Sequence, residues 1–173
     1  MPIVYLSREE HFSAAHRLHS PHLSDAENLN VYGKCNHKHG HGHNYKGAFK
    51  RAAEDLIVAP ILWMQEYLTL LILSSHLLTP FAVEVIVKGE LDPKTGMVLN
   101  ITELKDCMKR AIMEPMDHKN IDIDVPYFSD KPSTAENIAV FMWQEMAKIL
   151  PKGEMHEIVL RETDANVVIY RGE

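Results

Sequence analysis

The sequence predicts an α+β fold built on an antiparallel sheet. Three observations carry that reading. Strand-type and helix-type segments come in separate blocks, in the order strand, strand, helix, helix, strand, strand. Apolar residues alternate in the strand blocks and recur at helical spacing in the helix blocks. At 173 residues the chain has the length of one ordinary domain, enough to bury a core without disulfides.

The first strand is read over 3–16, where Phe12, Ala14 and His16 alternate onto one face. Residues 19–40 read as loop, with Ser20-Pro21, Ser24-Asp25, Gly33 and Gly40 as punctuation. The β-branched run Val83-Glu84-Val85-Ile86-Val87-Lys88-Gly89 is the second strand, and Asp92-Pro93-Lys94-Thr95-Gly96 is a turn. Asn100 with Glu103 forms a capping box that opens a helix. Ile101, Leu104, Met108, Ala111 and Ile112 share its face, and Pro115 stops it. Ser133-Thr134-Ala135-Glu136 caps a second helix, which turns Ile138, Phe141, Met142, Ile149 and Leu150 inward and ends at Pro151. The C-terminus reads as a hairpin in which 157–163 pairs with 167–170.

Composition narrows the function. Lys and Arg total 18 against 24 Asp and Glu, a formal charge of −6. Without a basic block, such a chain is poorly suited to gripping nucleic acid. Two cysteines, Cys35 and Cys107, cannot build a disulfide framework, and no basic-then-apolar leader opens the sequence. A cytoplasmic, reducing setting is expected. From Leu56 to Ala82 only Glu66 is charged, but Pro60, Ser74, Ser75, His76 and Pro80 break the run. A membrane span needs about 20 predominantly apolar residues, so none is expected.

Histidine is the unusual count: 11 in all, eight of them within the first 43 residues. His41 and His43, two apart, project from the same face if their segment is extended, and an antiparallel hairpin could bring His16 opposite them. Three imidazoles on zinc leave a fourth position for substrate or water. The competing reading is a surface His-rich loop that takes metal only adventitiously. His37 and His39 precede the strand and rank lower as ligands. Cys35 is either a nucleophile, base or ligand near these histidines, or an inert loop residue; Cys107 is simplest as packing. Asp117-His118 could be a carboxylate–imidazole pair or a solvated post-helix loop. Glu162 follows Ile158 and Leu160 on one strand face, so it stands either at the sheet's wet end or buried with a ligand or cation.

Together these residues resemble the 6-pyruvoyltetrahydropterin synthase family of the animal type. The matching pieces are Phe12-Ser13-Ala14-Ala15-His16-Arg17-Leu18, Gly33-Lys34-Cys35-Asn36, Gly40-His41-Gly42-His43-Asn44-Tyr45 and Gly89-Glu90-Leu91-Asp92-Pro93-Lys94-Thr95-Gly96-Met97-Val98. They continue with Met116-Asp117-His118-Lys119-Asn120, Asp124-Val125-Pro126-Tyr127-Phe128, Ser133-Thr134-Ala135-Glu136-Asn137 and Glu162-Thr163-Asp164. The resemblance implies the tunnelling fold, a four-stranded antiparallel sheet with two helices on one face. It implies a trimer whose sheets close into a barrel, two trimers forming a hexamer, and active sites between subunits. It implies conversion of 7,8-dihydroneopterin triphosphate to 6-pyruvoyltetrahydropterin with loss of triphosphate, in tetrahydrobiopterin biosynthesis. It implies Zn2+ held by His16, His41 and His43, Cys35 as general base, Asp117 and His118 as its companion pair, and Glu162 and Thr134 on the pterin. Ala135 stands where a second Thr is common, which puts one hydrogen bond in doubt. The related 6-carboxytetrahydropterin synthases share fold and zinc site. Their Cys-to-His-Gly-His spacing tends to be shorter than the five residues between Cys35 and His41.

The resemblance covers 1–46 and 83–173 and leaves out 47–82, a single domain interrupted by 36 residues. With them removed, Lys46 joins Val83 and one alternating strand runs through. Their apolar content suggests amphipathic helices packed outside the sheet. An alternative or retained exon, or a gene-model error, would account for them. A catalytically impaired form that folds, binds zinc or co-assembles is the alternative function.

Overall fold

The computed structural model describes residues 2–40, 79–150, 155–163 and 165–173. Most of the 47–82 segment, and with it the amphipathic-helix expectation, lies outside the described residues, as do His41, His43 and Asp164. The sheet holds β1 (Ile3–Ala15), β2 (Thr79–Glu90), β3 (Lys119–Asn120), β4 (Met155–Arg161) and β5 (Val167–Tyr170), in the order β3-β1-β2-β4-β5. β1, β2, β4 and β5 form the expected antiparallel four. The two-residue β3 adds a fifth strand, parallel to β1 at Ala14 and Ala15.

The core lies on one face because side chains alternate along each strand. Phe12 and Ala14 of β1, Phe81, Val83, Val85 and Val87 of β2, and Ile158 and Leu160 of β4 are buried beneath the helices. The other face of β1 carries Tyr5, Ser7, Glu9 and His11, all exposed. Here Arg161 of β4 reaches Glu9 at 3.6 Å and Glu84 at 3.5 Å, pairs worth little at an exposed surface.

Two helices cover the inner face. α1 (Asp25–Tyr32) lies outside this pair. α2 (Ile101–Met108) opens on Asn100, whose side chain accepts from the Thr102 amide. It continues through a π-helical Lys109–Met113 into a last turn, Glu114–Met116. Pro115 therefore sits inside the final turn rather than ending the helix before it. Proline has no N–H and its ring crowds the carbonyl four residues back; the wider π turn just upstream makes room for it. A short α3 (Ile121–Asp124) follows β3. α4 (Ala135–Ile149) is capped by Thr134, which accepts from the Asn137 amide. The expected cap, Ser133, instead donates its hydroxyl to Asp122. Ile138, Phe141, Met142 and Leu150 are buried as expected; Ile149 is only partly so, and Met146 is fully buried.

The main departure is α1, where loop was expected. Ser24 and Glu27 close a complete capping box in front of it. Its apolar residues gave no stripe to read, because Leu29 is 63% and Val31 60% exposed. The anchor is polar. Asn28, fully buried, accepts from the Ser20 amide and donates to the carbonyls of Ser20, Leu23 and Ser24.

β2 also departs from expectation at its start. It begins at Thr79, so residues 79–82 are strand rather than excursion. Phe81 is fully buried with its ring stacked on Phe12, centroids 5.1 Å apart. Phe81→Ala should therefore destabilise the protein by about 3–5 kcal/mol in denaturant unfolding. A change within about 0.5 kcal/mol, typical of surface sites, would remove Phe81 from the core.

Candidate functional site

His16 follows the end of β1 and is fully buried. Its Nδ1–H donates to the Ser133 carbonyl, N···O 2.9 Å. A carbonyl only accepts, so this bond fixes the tautomer: Nδ1 carries the proton and Nε2 is left basic. A backbone carbonyl orienting the far nitrogen is the usual support of a metal-binding imidazole. Nε2 lies 3.9 Å from Oε1 of Glu162, whose side chain is 15% exposed. Glu162 is placed by the β4–β5 connection, where its amide donates to the Asn166 carbonyl and Thr163 Oγ1 accepts from the amides of Ala165 and Asn166.

Cys35 arrives from a third part of the chain. It sits in a 3₁₀ turn, Gly33–Asn36, and its carbonyl accepts from the Leu18 amide at 3.0 Å. Arg17 Nε donates to the neighbouring Asn36 carbonyl, and His19 Nδ1 meets Asn36 Oδ1 at 3.1 Å. These contacts tie the turn to the segment just after His16. Burial first, and then the negative charge of Glu162, push the Cys35 thiol above its ordinary pKa. Thr134 and Glu162 line one open groove of ≈ 520 Å³, together with Leu18, Asn166 and Val168. A larger groove of ≈ 620 Å³ beside α2 contains none of the expected site residues.

Asp117 and His118 do pair: His118 Nδ1 is 2.9 Å from Asp117 Oδ2. The other carboxylate oxygen accepts from the Ser13 amide, and the His118 amide donates to the Ser13 carbonyl. His118 adopts φ +59°, the left-handed region, which turns its ring outward to 73% side-chain exposure. Among the described residues no direct contact links this pair to Cys35.

No group of three or more His, Cys, Asp or Glu able to hold a metal occurs among the described residues. His16 has the orientation of a ligand. Gly40, at φ +76°, packs so closely on His16 that a Cβ there would lie 3.0 Å from the His16 carbonyl oxygen, and His41 is the next residue in the chain. His37 and His39 have their rings 5.7 Å apart at the exposed start of this stretch.

Sequence reasoning missed Asp122. Its Oδ2 accepts from the Arg17 amide and its Oδ1 from the Ser133 hydroxyl, both at 2.6 Å. One carboxylate thus joins the residue after His16 to the residue whose carbonyl holds His16. The only local signal is Asn120, whose side chain caps α3 by accepting from the Asp122 amide.

A family model described as 6-pyruvoyl tetrahydropterin synthase matches residues 5–60 and 80–173. A 6-pyruvoyl tetrahydrobiopterin synthase from Poecilia reticulata is 48% identical over 171 residues, covering 99% of this chain and 92% of the relative. The Homo sapiens protein of that name is 45% identical over 168 residues, covering 97% and 91%. Among solved structures, the 6-pyruvoyl tetrahydropterin synthase of Caenorhabditis elegans superposes with a TM-score of 0.77 at 32% identity, covering 100% of this chain and 98% of that one. With its tunnelling-fold sheet and the convergence of His16, Cys35 and Glu162 at one end of it, this chain belongs to the 6-pyruvoyl tetrahydropterin synthase family.

Proposed function

We propose that the chain converts 7,8-dihydroneopterin triphosphate to 6-pyruvoyltetrahydropterin with elimination of triphosphate, a step of tetrahydrobiopterin biosynthesis. The observation that carries the reading is the approach of His16 and Cys35, from distant parts of the chain, to Glu162, which shares one groove wall with Thr134. Family membership supplies the substrate class.

Each residue has a task suited to its setting. The Glu162 carboxylate can accept two N–H groups of a pterin ring, a bidentate bond stronger than a neutral one. Thr134 contributes from the same groove wall. Cys35 takes and returns protons on the substrate side chain. Its thiol is held protonated by burial and by the Glu162 charge, and pairing of that charge with the pterin relieves part of the restraint. Zn2+ held by His16, His41 and His43 would supply Lewis acidity to the side-chain oxygens. The His16 tautomer fits such a role.

Asp117 and His118 serve as the proton-relay companions, and we place their target on a neighbouring subunit. The exposure of His118 supports this. So does the sheet: β1 is unpaired along its far edge before Ala14, β5 is unpaired on the other, and Tyr5, Val167 and Ile169 are exposed between them, among the described residues. Edges of this kind invite pairing with another copy, in keeping with a trimer and a dimer of trimers. No helix among the described residues is long and apolar enough to cross a membrane; the two free thiols suit the cytoplasm.

One observation favours a second reading, an impaired form: the family match breaks off at residue 60 and resumes at 80, where β2 opens. Turnover by the full chain at the rate of a chain lacking 47–82 would reject it.

Purified protein incubated with the triphosphate substrate should release triphosphate and yield the 6-pyruvoyl product by mass. The 6-carboxy product would assign the other enzyme of this fold. Cys35→Ala should keep zinc while turnover drops by about 10²–10⁴-fold, the usual contribution of a general base; retained turnover would remove Cys35 from that role. In metal-free protein, Glu162→Gln should lower the Cys35 pKa and speed its alkylation at fixed pH, since a larger thiolate fraction reacts. An unchanged alkylation rate would separate the two groups. Cys107 is buried and gives the unreactive reference.

A further inference from the structure

His16 is fully buried, and its Nδ1–H donates to the Ser133 carbonyl. A carbonyl can fix a tautomer only if it is itself kept pointing at the ring. Ser133 lies in the connection 129–134, outside any helix or strand. Nor does α4 use its carbonyl: the Ile138 amide, which opens the helical ladder, donates to Thr134. Something else must hold the Ser133 carbonyl in place.

Two side chains do so. Asn137 works on the flanks, its amide donating to Thr134 Oγ1 and its Nδ2 to the Pro132 carbonyl at 2.8 Å. Asp122 takes Ser133 itself. Its Oδ1 accepts from the Ser133 hydroxyl and its Oδ2 from the Arg17 amide, both at 2.6 Å. Because Arg17 adjoins His16, three hydrogen bonds close a circuit: imidazole to Ser133 carbonyl, Ser133 hydroxyl to Asp122, and Arg17 amide to Asp122. We infer that Asp122 is a positioning residue for His16: by bridging Arg17 and Ser133 it holds the Ser133 carbonyl against the ring and so selects the Nδ1–H tautomer.

The circuit needs a short side chain with two acceptor atoms that can serve two donors at once, which a carboxylate supplies. Both bonds end on an ionised acceptor, the stronger kind. Asp122 is placed in turn by α3, where its amide donates to Asn120 Oδ1, and by Ile121 and Val125, both buried in the core on either side of it. Ser133 is fully buried, so its hydroxyl has no water to turn to if the carboxylate is removed. The result is an imidazole whose Nε2 is the basic nitrogen, the form a metal ion requires. The effect on zinc rests on the proposed function, whereas the tautomer is a property of the metal-free chain.

Long-range proton–nitrogen correlation spectra of metal-free, full-length protein with isotope-labelled histidine, recorded at alkaline pH, read the tautomer directly. The His16 signals are those missing from His16→Gln. In the unmodified chain His16 should show the Nδ1–H form alone. Asp122→Ala should bring in the Nε2–H form. It should also weaken zinc binding about tenfold in chelator competition, the low end of the 10–100-fold lost with a direct partner of a metal-bound histidine, because Asp122 acts through Ser133. Ser133→Ala keeps the carbonyl but opens the circuit; it should give the same two changes, and the double variant should add nothing. Asp122→Asn should keep the single tautomer. Its amide oxygen can take the Arg17 N–H, and its NH2 can donate to the Ser133 hydroxyl, which accepts as well as it donates. Val125→Ala, a core change beside α3, should lower stability and leave the tautomer alone. If Asp122→Ala and Ser133→Ala, folded by circular dichroism, keep the Nδ1–H form alone, the inference is overturned. A tautomer shift in Val125→Ala as large as theirs would overturn it too, since loss of stability would then be the cause. Tautomer shifts as described, with no zinc bound even by the unmodified chain, would support the positioning role and contradict the zinc reading.

Discussion

The structure depends on one long antiparallel pairing, β1 with β2, in unbroken register from Ile3 with Glu90 to Ala14 with Thr79. A strand pair of this length fixes which residues face inward for the whole sheet, because a slip of one residue would turn every side chain to the opposite face. Phe12 and Ala14 on one strand and Phe81, Val83, Val85 and Val87 on the other then define the floor on which α2 and α4 pack. The site is the continuation of that floor. His16 is the next inward position beyond Ala14, and it reaches the end of α4 through the Ser133 carbonyl. Glu162 comes off the end of β4, which is itself registered on β2 from Ala82 with Arg161 to Val87 with Met155.

Much of this was legible in the chain of letters. The alternation of Phe12, Ala14 and His16, the run from Val83, the cap before α4 and the final hairpin each give a local pattern that tertiary structure then uses. His16, Cys35, Asp117, His118 and Glu162 were each ambiguous alone and drew together only through the family resemblance. What did not show was held by backbone or by buried polar groups. α1 has no apolar stripe, since Leu29 and Val31 face solvent and Asn28 is its anchor. β3 has two residues, too few for any periodicity. The cap of α4 shifted from Ser133 to Thr134 because Ser133 was engaged by Asp122, a partner 11 residues away that sequence spacing does not announce. The start of β2 was hidden because Thr-Pro-Phe-Ala reads as the tail of an apolar stretch, and only the register against 11–14 makes it strand.

The electrostatics of the site follow from the same geometry. Bringing Glu162 close to both His16 and Cys35 places a carboxylate where it favours a cationic neighbour and disfavours an anionic one. The thiol therefore rests protonated, and its activation falls to whatever pairs with Glu162 or brings positive charge near Cys35. In the proposed reaction a pterin ring bound to Glu162 would do the first. Asp122 accepts from the Arg17 amide and from the Ser133 hydroxyl, and so ties together the two segments that hold the His16 imidazole.

The pairing of β1 with β2 through to 79–82 is best tested by nuclear Overhauser contacts in protein with selectively labelled phenylalanine and tyrosine rings. The Phe12 ring should show contacts to Phe81, as their 5.1 Å centroid separation requires. Contacts from Phe12 to Tyr45 in place of Phe81 would contradict the account, because they would mean that β2 enters the sheet from residue 46 and that 79–82 has no part in it.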